Sequence, residues 1–407
     1  MSLSVAMLSV HTSPLDTPGC TKDAGGMNVY MRALACELGN RHISVDIFTR
    51  WTNPHTPHIV QLSPLVRVIH VKAGPQDILP KNNLYQHIPA FIQQVDKFSR
   101  AEGTQYDVVH SHYWLSGVAG NQLARMWDVP HVTMFHTIAR LKQMANPNEP
   151  ESPLRLDMEQ QLIHYADRII ATTTDERTQL IRYCGATTNQ VEVIPCGVDL
   201  SLFTAQNKQL ARKKLGLKLH QPTLLFVGRL DPFKGPDLFL RAAAMMTQNA
   251  QIVVVGGKLQ GDTDVQALQQ LAHDLNLSQR VHFLGARPQI ELPMIYSAAD
   301  IVVVPSYHES FGLVAIEALA CDTPVVATRA GGLMTVVRHN ETGYLVPRGP
   351  GFFAERLDTL LGNPTLLAQM SRAARPSVLH FSWQNVASQV SQTYDTLLTE
   401  ARQLVAQ

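Results

Sequence analysis

"LLFVGRLDPFKGPDLFLRA", Leu224 to Ala242, decides the fold. Four apolar residues end at Gly228, a short turn carries Arg229 and Lys234, and Gly235-Pro236 opens a second apolar run with helical spacing. That is strand, turn and helix, restarting halfway along a chain that has already used the same order. Upstream, strand-like runs at 5–10, 45–49, 66–71, 108–110, 131–135 and 169–172 alternate with helical patterns. Downstream, the runs fall at 224–227, 252–255, 281–284, 301–304, 324–327 and 343–346. Such alternation predicts an α/β protein with two doubly wound, mostly parallel sheets, each covered on both faces. The expected organisation is an N-terminal domain over 1–198, a second over 199–378, and a C-terminal helix over 379–407 that crosses back to the first. Proline and glycine in "IPCGVDLSLF", Ile194 to Phe203, mark the junction, and a break at Pro376 precedes the last helix. A ligand is expected in a central cleft between the domains, at the carboxyl ends of their strands.

Composition narrows the function. The 407 residues carry a formal net charge of +1, without the basic stripe that nucleic acid binding requires. Five cysteines are scattered with no C-x-x-C pair, which fits a reducing cytoplasm. The N-terminal apolar run stops at His11, too short for a signal sequence, and no apolar stretch approaches a membrane span. A cytoplasmic protein acting on small molecules is expected, with no nucleic acid and no membrane partner.

Three features point to chemistry. Arg229 and Lys234 stand together at a strand-to-helix turn, where a guanidinium can clamp two phosphate oxygens and an ammonium adds a point charge. In "VVVPSYHESFGLVAIEALACDTPVVATRAGGL", Val302 to Leu333, Glu309 and Glu317 flank a predicted helix start. Eight helical positions span about 12 Å, too far for the carboxylate pair of a retaining glycosidase, which sits about 5–5.5 Å apart. The two read instead as separate hydroxyl acceptors on either side of an anion site at the helix N-terminus, a shape that suits a nucleotide sugar. Third, "KDAGGMNVY", Lys22 to Tyr30, puts Gly25 and Gly26 before a helix, where an anion can come close to the backbone. Asp262-Thr263-Asp264 could suggest a metal, but its place before a helix makes a cap the better reading, and no metal is expected. Dinucleotide and P-loop fingerprints are absent.

Taken together, Arg229, Lys234, the Glu309-to-Glu317 stretch and the paired glycines resemble the retaining glycosyltransferases of family 4, which have the GT-B fold of two Rossmann-like domains. The resemblance implies that Arg229 and Lys234 hold the diphosphate beside Gly25 and Gly26, that Glu309 meets the donor sugar, and that Glu317 meets the ribose. Arg287, Ser310, Phe311, Gly312 and Leu313 would complete the donor site, and His136 would contact the donor sugar near the reacting centre.

"HTSPLDTPGCTKDAGGMNVY", "HSHYWLSG" and "FHTIARLKQ" resemble members that act on an inositol phosphate. On that resemblance Asn28, Lys81, Tyr113, Thr137 and Arg155 surround the acceptor, the last four reaching its phosphate. "LPKNNL", Leu79 to Leu84, is similar to sucrose-phosphate synthases, so fructose 6-phosphate is the alternative acceptor. Departures are a loop 19–23 one residue longer than the pattern, with an unplaced Lys22, and Asp322 where glycine is usual. The expected activity is metal-independent, retaining transfer of a hexosyl group from UDP-N-acetylglucosamine or UDP-glucose, with a homodimer as the one protein assembly considered. A non-catalytic nucleotide-sugar binding protein and an epimerase remain the other readings.

Overall fold

A computed structural model describes residues 3–16, 25–145, 150–259 and 261–405. The loop 19–23, with Lys22, lies outside them. Two compact units emerge, one from residues 26–195 with 3–16 and 383–405, the other from Cys196–Ser382.

The first unit contains β1 (Ser4–Ser9), β2 (Ser44–Arg50), β3 (Ile59–Ser63), β4 (Val66–Val71), β5 (Val108–His112), β6 (His131–Met134), β7 (Arg168–Ala171) and β8 (Val191–Val193). They form one sheet in the order β3-β4-β2-β1-β5-β6-β7-β8, parallel except for β3 against β4. The second unit holds β9 (Thr223–Val227), β10 (Gln251–Val255), β11 (Val281–Gly285), β12 (Ile301–Val304), β13 (Val325–Thr328) and β14 (Gly343–Val346). Its order is β11-β10-β9-β12-β13-β14, and every pairing is parallel. Strands such as "IVVV" and "QIVVV" are buried throughout because helices cover both faces, so apolar residues run continuously instead of alternating.

The α/β expectation is met in both units. Two strands escaped the reading. β3 is an edge strand whose "IVQLS" is largely half-exposed, and β8 has three residues. Neither offers a long apolar signal.

In each sheet the chain begins in the middle and winds outward in both directions. The order therefore reverses beside β1, between β1 and β5, and beside β9, between β9 and β12. At such a switch point the loops leaving the two strands diverge and open a crevice at their carboxyl ends.

Asp300 sets the register of the second crevice. Its Oδ2 accepts from the Thr223 amide at 2.7 Å and from Arg212 Nη2 at 2.6 Å, while Oδ1 accepts from Lys208 at 2.8 Å. One carboxylate thus ties the start of β9 to the start of β12. The Arg212 side chain is buried, and its Nε and Nη1 donate to the carbonyls of Ala298 and Leu219.

The break before the last helix does not fall at Pro376. The helix Pro364–Val378 runs through that residue, and the interruption comes at Leu379–Phe381. A proline one turn from a helix end sacrifices only one late hydrogen bond, so the helix continues briefly past it. The final helix, Trp383–Val405, packs on the first unit, with the Trp383 ring edge-on to Tyr30 at 5.4 Å and Tyr394 inserted fully into the core.

Asp300→Ala should destabilise the second unit by about 3–5 kcal/mol, because it leaves the Arg212 guanidinium buried without its carboxylate. Urea unfolding followed by tryptophan-independent circular dichroism measures this, and an unchanged midpoint would contradict the bracing role.

Candidate active site

At the β9/β12 switch point the chain leaves β9 through Gly228, places Arg229, and turns through Asp231-Pro232-Phe233-Lys234 into the helix Pro236–Met245. The turn is drawn onto the loop after β12 by the Tyr307 amide, which donates to the Phe233 carbonyl at 2.9 Å. Gly235 makes this approach feasible: its φ is 72°, and a Cβ there would lie 2.6 Å from the Pro305 carbonyl oxygen. Lys234 Nζ then meets Glu309 Oε1 at 2.7 Å, and the Ser306 hydroxyl donates to the same oxygen at 2.8 Å. Burial alone would raise the Glu309 carboxyl, but the Lys234 ammonium and the Ser306 hydroxyl outweigh it and hold the carboxyl below its ordinary value. Arg229 pairs with Asp231 at 3.4 Å.

Gly312, at φ 99°, enters the helix Leu313–Ala320, placing Ser310 and Phe311 in the loop between Glu309 and the helix. Gly331 and Gly332 fit against this loop so closely that a Cβ on Gly331 would lie 2.1 Å from the Glu309 carbonyl oxygen. The Gly332 amide donates to that carbonyl at 2.7 Å. Glu317, one helical turn inward, is buried and accepts from the Tyr296 hydroxyl at 2.7 Å. Burial pushes its carboxyl up to about 7 against the pull of the Tyr296 and Gln289 hydrogen bonds. Arg287 lies on a different loop, donating to the Leu284 carbonyl at 3.1 Å and pairing with Glu291 at 3.3 Å. Asp262 caps the helix Thr263–Asp274 by accepting from the Asp264 and Val265 amides, as its sequence position suggests. Asp322 adopts φ 58°, the left-handed conformation that explains the usual glycine there.

In the first unit, the β1/β5 switch point brings a second group together. His11 follows β1, and its ring lies 4.4 Å from that of Tyr113, which follows β5 with φ 74°. Lys81 Nζ and the Arg155 guanidinium stand 5.4 Å and 5.0 Å from the Tyr113 ring centre, so two cations lie close to one aromatic ring. Burial, then Lys81, His136 and Arg155, push His11 well below its ordinary value and leave it neutral.

Arg155 is buried and held: Nε donates to Glu159 at 2.7 Å, Nη1 to Glu151 at 3.0 Å, and Nη2 to the Thr137 carbonyl and hydroxyl at 2.8 and 3.1 Å. Asn28 is likewise engaged, its amide donating to Thr12 Oγ1 at 2.9 Å and to the Ser13 carbonyl at 2.5 Å. Both residues therefore fix the loops around the site. Gly25 precedes the helix Gly26–Asn40, and a Cβ added to it would meet nothing within 4 Å.

His136 follows β6 with φ 59°. Its Nε2 lies 2.9 Å from His112 Nδ1, and burial takes its pKa down to about 3. Several residues of these constellations were not singled out in the sequence, Ser306, Tyr296, His11 and His112 among them. His112 left a signal, as one of two histidines two apart in "HSHYW", which a strand places on one face.

The family model described as "Glycosyltransferase Family 4" matches residues 24–202, and that described as "Glycosyl transferases group 1" matches 207–376. The D-inositol 3-phosphate glycosyltransferase of Corynebacterium efficiens is 40% identical over 98% of this chain and 96% of its own. That of Xylanimonas cellulosilytica is 43% identical over 96% of both chains. A solved sucrose-phosphate synthase from Thermosynechococcus elongatus superposes with a TM-score of 0.92 and 34% identity, covering 98% of this chain and all of that one (100%). Two parallel sheets, each with polar groups gathered at its switch point, here define a glycosyltransferase of the GT-B class. The chain belongs to glycosyltransferase family 4, alongside the D-inositol 3-phosphate glycosyltransferases. Among the described residues no helix is long and apolar enough to cross a membrane.

The Glu317 carboxyl titrates near 7 in the fold and near about 4.3 in an unfolded chain, so the folded state holds the extra proton between those values. Its contribution to stability falls as pH rises through that window, by up to a few kcal/mol. Glu317→Gln should therefore gain thermal stability relative to the parent on moving from about pH 5 to about pH 8. Parallel melting curves that keep a constant difference would refute the raised value.

Proposed function

We propose that this glycosyltransferase moves a hexosyl group from a UDP-sugar to an inositol phosphate, with retention of anomeric configuration and without a metal. The observation that carries the reading is the turn bearing Arg229 and Lys234 at a switch point, braced against Glu309. In sugar transfer from a nucleotide donor the leaving diphosphate gains charge in the transition state, and fixed cations stabilise that charge without reorganising. Arg229, Lys234 and the amides at the start of the helix Leu313–Ala320 would do this, with Gly25 and Gly26 beside the diphosphate. Ser310, Phe311, Gly312 and Leu313 would line the same site.

Glu309, held ionised by Lys234, would accept hydroxyls of the donor sugar, and Glu317 would accept from the ribose. The Glu309 carboxylate is engaged with a cation, which favours a hydrogen-bonding role over that of a covalent nucleophile. His136 would contact the sugar beside the reacting carbon. On the acceptor side Lys81, Tyr113 and Thr137 would receive the phosphate together with Arg155, whose guanidinium lies beside Tyr113. Identity of 40–43% to D-inositol 3-phosphate glycosyltransferases over nearly the whole chain supports inositol phosphate as acceptor, and N-acetylglucosamine is the first sugar to try. The sucrose-phosphate synthase likeness favours fructose 6-phosphate and UDP-glucose as the second pair.

UDP release is measured with UDP-N-acetylglucosamine or UDP-glucose, each offered inositol 3-phosphate, fructose 6-phosphate or no acceptor, in the presence of EDTA. Release confined to the inositol phosphate wells is expected; release confined to fructose 6-phosphate would replace the acceptor, and dependence on added metal would overturn metal independence. Lys234→Ala should lower kcat by about 10²–10³-fold while the acceptor KM changes little. A matching rise in acceptor KM would remove Lys234 from the leaving-group site.

A further inference from the structure

The period of a strand sets His110 and His112 on one face of β5, their ring centres 4.4 Å apart. The helices Gly26–Asn40 and Trp383–Val405 cover that face. Tyr394 of the latter places its hydroxyl 2.7 Å from His110 Nδ1, and Tyr30 of the former lies 5.7 Å from the His112 ring and 5.4 Å, edge-on, from the His136 ring. His112 is therefore held among the tilted rings of His110, Tyr30 and His136. Its Nδ1 faces His136 Nε2 at 2.9 Å.

Both rings are neutral: burial, with His110 and His136 adding to it, keeps His112 well below its ordinary value, and burial takes His136 to about 3. Two neutral imidazoles sharing one hydrogen bond must divide the roles, one nitrogen donating and the other accepting. The other nitrogen of His112, Nε2, is buried and has no hydrogen-bond partner among the described residues. If His112 accepted at Nδ1, its only proton would sit on that orphaned Nε2. A buried N–H without an acceptor is the rarer and costlier outcome. With the proton on Nδ1, His112 donates to His136 and only a lone pair is left unmet.

We infer that His112 is a positioning residue that fixes the tautomer of His136: by donating to Nε2 it keeps the His136 proton on Nδ1, so that Nδ1 is the donor the ring can offer. The opposite tautomer would present His136 as an acceptor at Nδ1, unable to donate from there to a sugar hydroxyl. The hydrogen bond made by one ring nitrogen decides what the other can do. The inference rests on His136 lying at the donor sugar, as proposed above. The roles of the two histidines are distinct: His136 touches substrate, and His112 acts only through it.

Imidazole ¹⁵N shifts of the intact, histidine-labelled protein report the tautomer directly, without reference to activity. Protonated Nδ1 on both His112 and His136 is expected; a His136 protonated at Nε2 would overturn the inference. Two substitutions separate the hydrogen bond from mere packing. The His112→Asn amide can still donate near the position of Nδ1, and should keep kcat within a few-fold. The His112→Asp carboxylate can only accept, and should lower kcat by about 10–100-fold with both KM values nearly unchanged and move the His136 proton to Nε2. Equal losses in the two variants, with no change of tautomer in either, would reduce His112 to a core residue. A His136→Ala variant with full kcat would displace His136 from the sugar, and the nitrogen shifts would still decide whether His112 sets its tautomer.

Discussion

Glu309 and Lys234 belong to different loops, and each would be poorly placed alone. A loop lysine is a long, mobile point charge, and a buried carboxylate without a partner is driven toward its neutral form. At 2.7 Å they cure both defects: the ammonium keeps the carboxylate ionised, and the carboxylate, itself fixed by Ser306, holds the ammonium in place. The arrangement of the rest of the second unit follows from delivering these two groups to one spot. β9 and β12 must be neighbours, must begin in register, and must end in loops that nearly touch.

The near contact makes demands of its own. Loops that close against each other leave no volume for side chains at the points of contact, and the chain has glycine at each of them: Gly235 under Pro305, and Gly331-Gly332 under Glu309 and Phe311. The first unit meets a comparable demand differently. Tyr113 and His136 carry bulky rings yet adopt positive φ, which is strained for a side chain of that kind. Their strain is sustained by surroundings that over-determine them: the His11 ring with Lys81 and Arg155 around Tyr113, and the His112 and Tyr30 rings against His136.

Much of the fold was readable because its evidence is local. "LLFVG" and "IVVV" are short apolar runs bounded by punctuation, and they declare buried parallel strands wherever they occur. β3 was not readable, since an antiparallel edge strand with half-exposed residues shares its pattern with a loop. Pro376 misled because proline's cost depends on how far it stands from a helix end, which the sequence does not mark. Arg229, Lys234 and Glu309 stood out by residue type at strand ends. The partners that decide their behaviour did not: Tyr296 reaches Glu317 across 21 residues, and His112 reaches His136 across 24. Arg155 is a parallel case: the motif shows the cation, but not Glu151, Glu159 and Thr137, which hold it in place.

The helix Trp383–Val405 contributes Tyr394 to the middle of a core otherwise made from the first half of the chain. On a ribosome, residues 3–195 emerge long before that helix exists, and the face of β5 carrying His110 and His112 stays without its cover until residues 383–405 have followed. All six strands of the second unit lie in the single stretch Cys196–Ser382, so its sheet waits for no later segment. The unit whose translation starts first is thus not completed until after the second unit's main segment, and the histidine row acquires its final packing only once the helix Trp383–Val405 has been made.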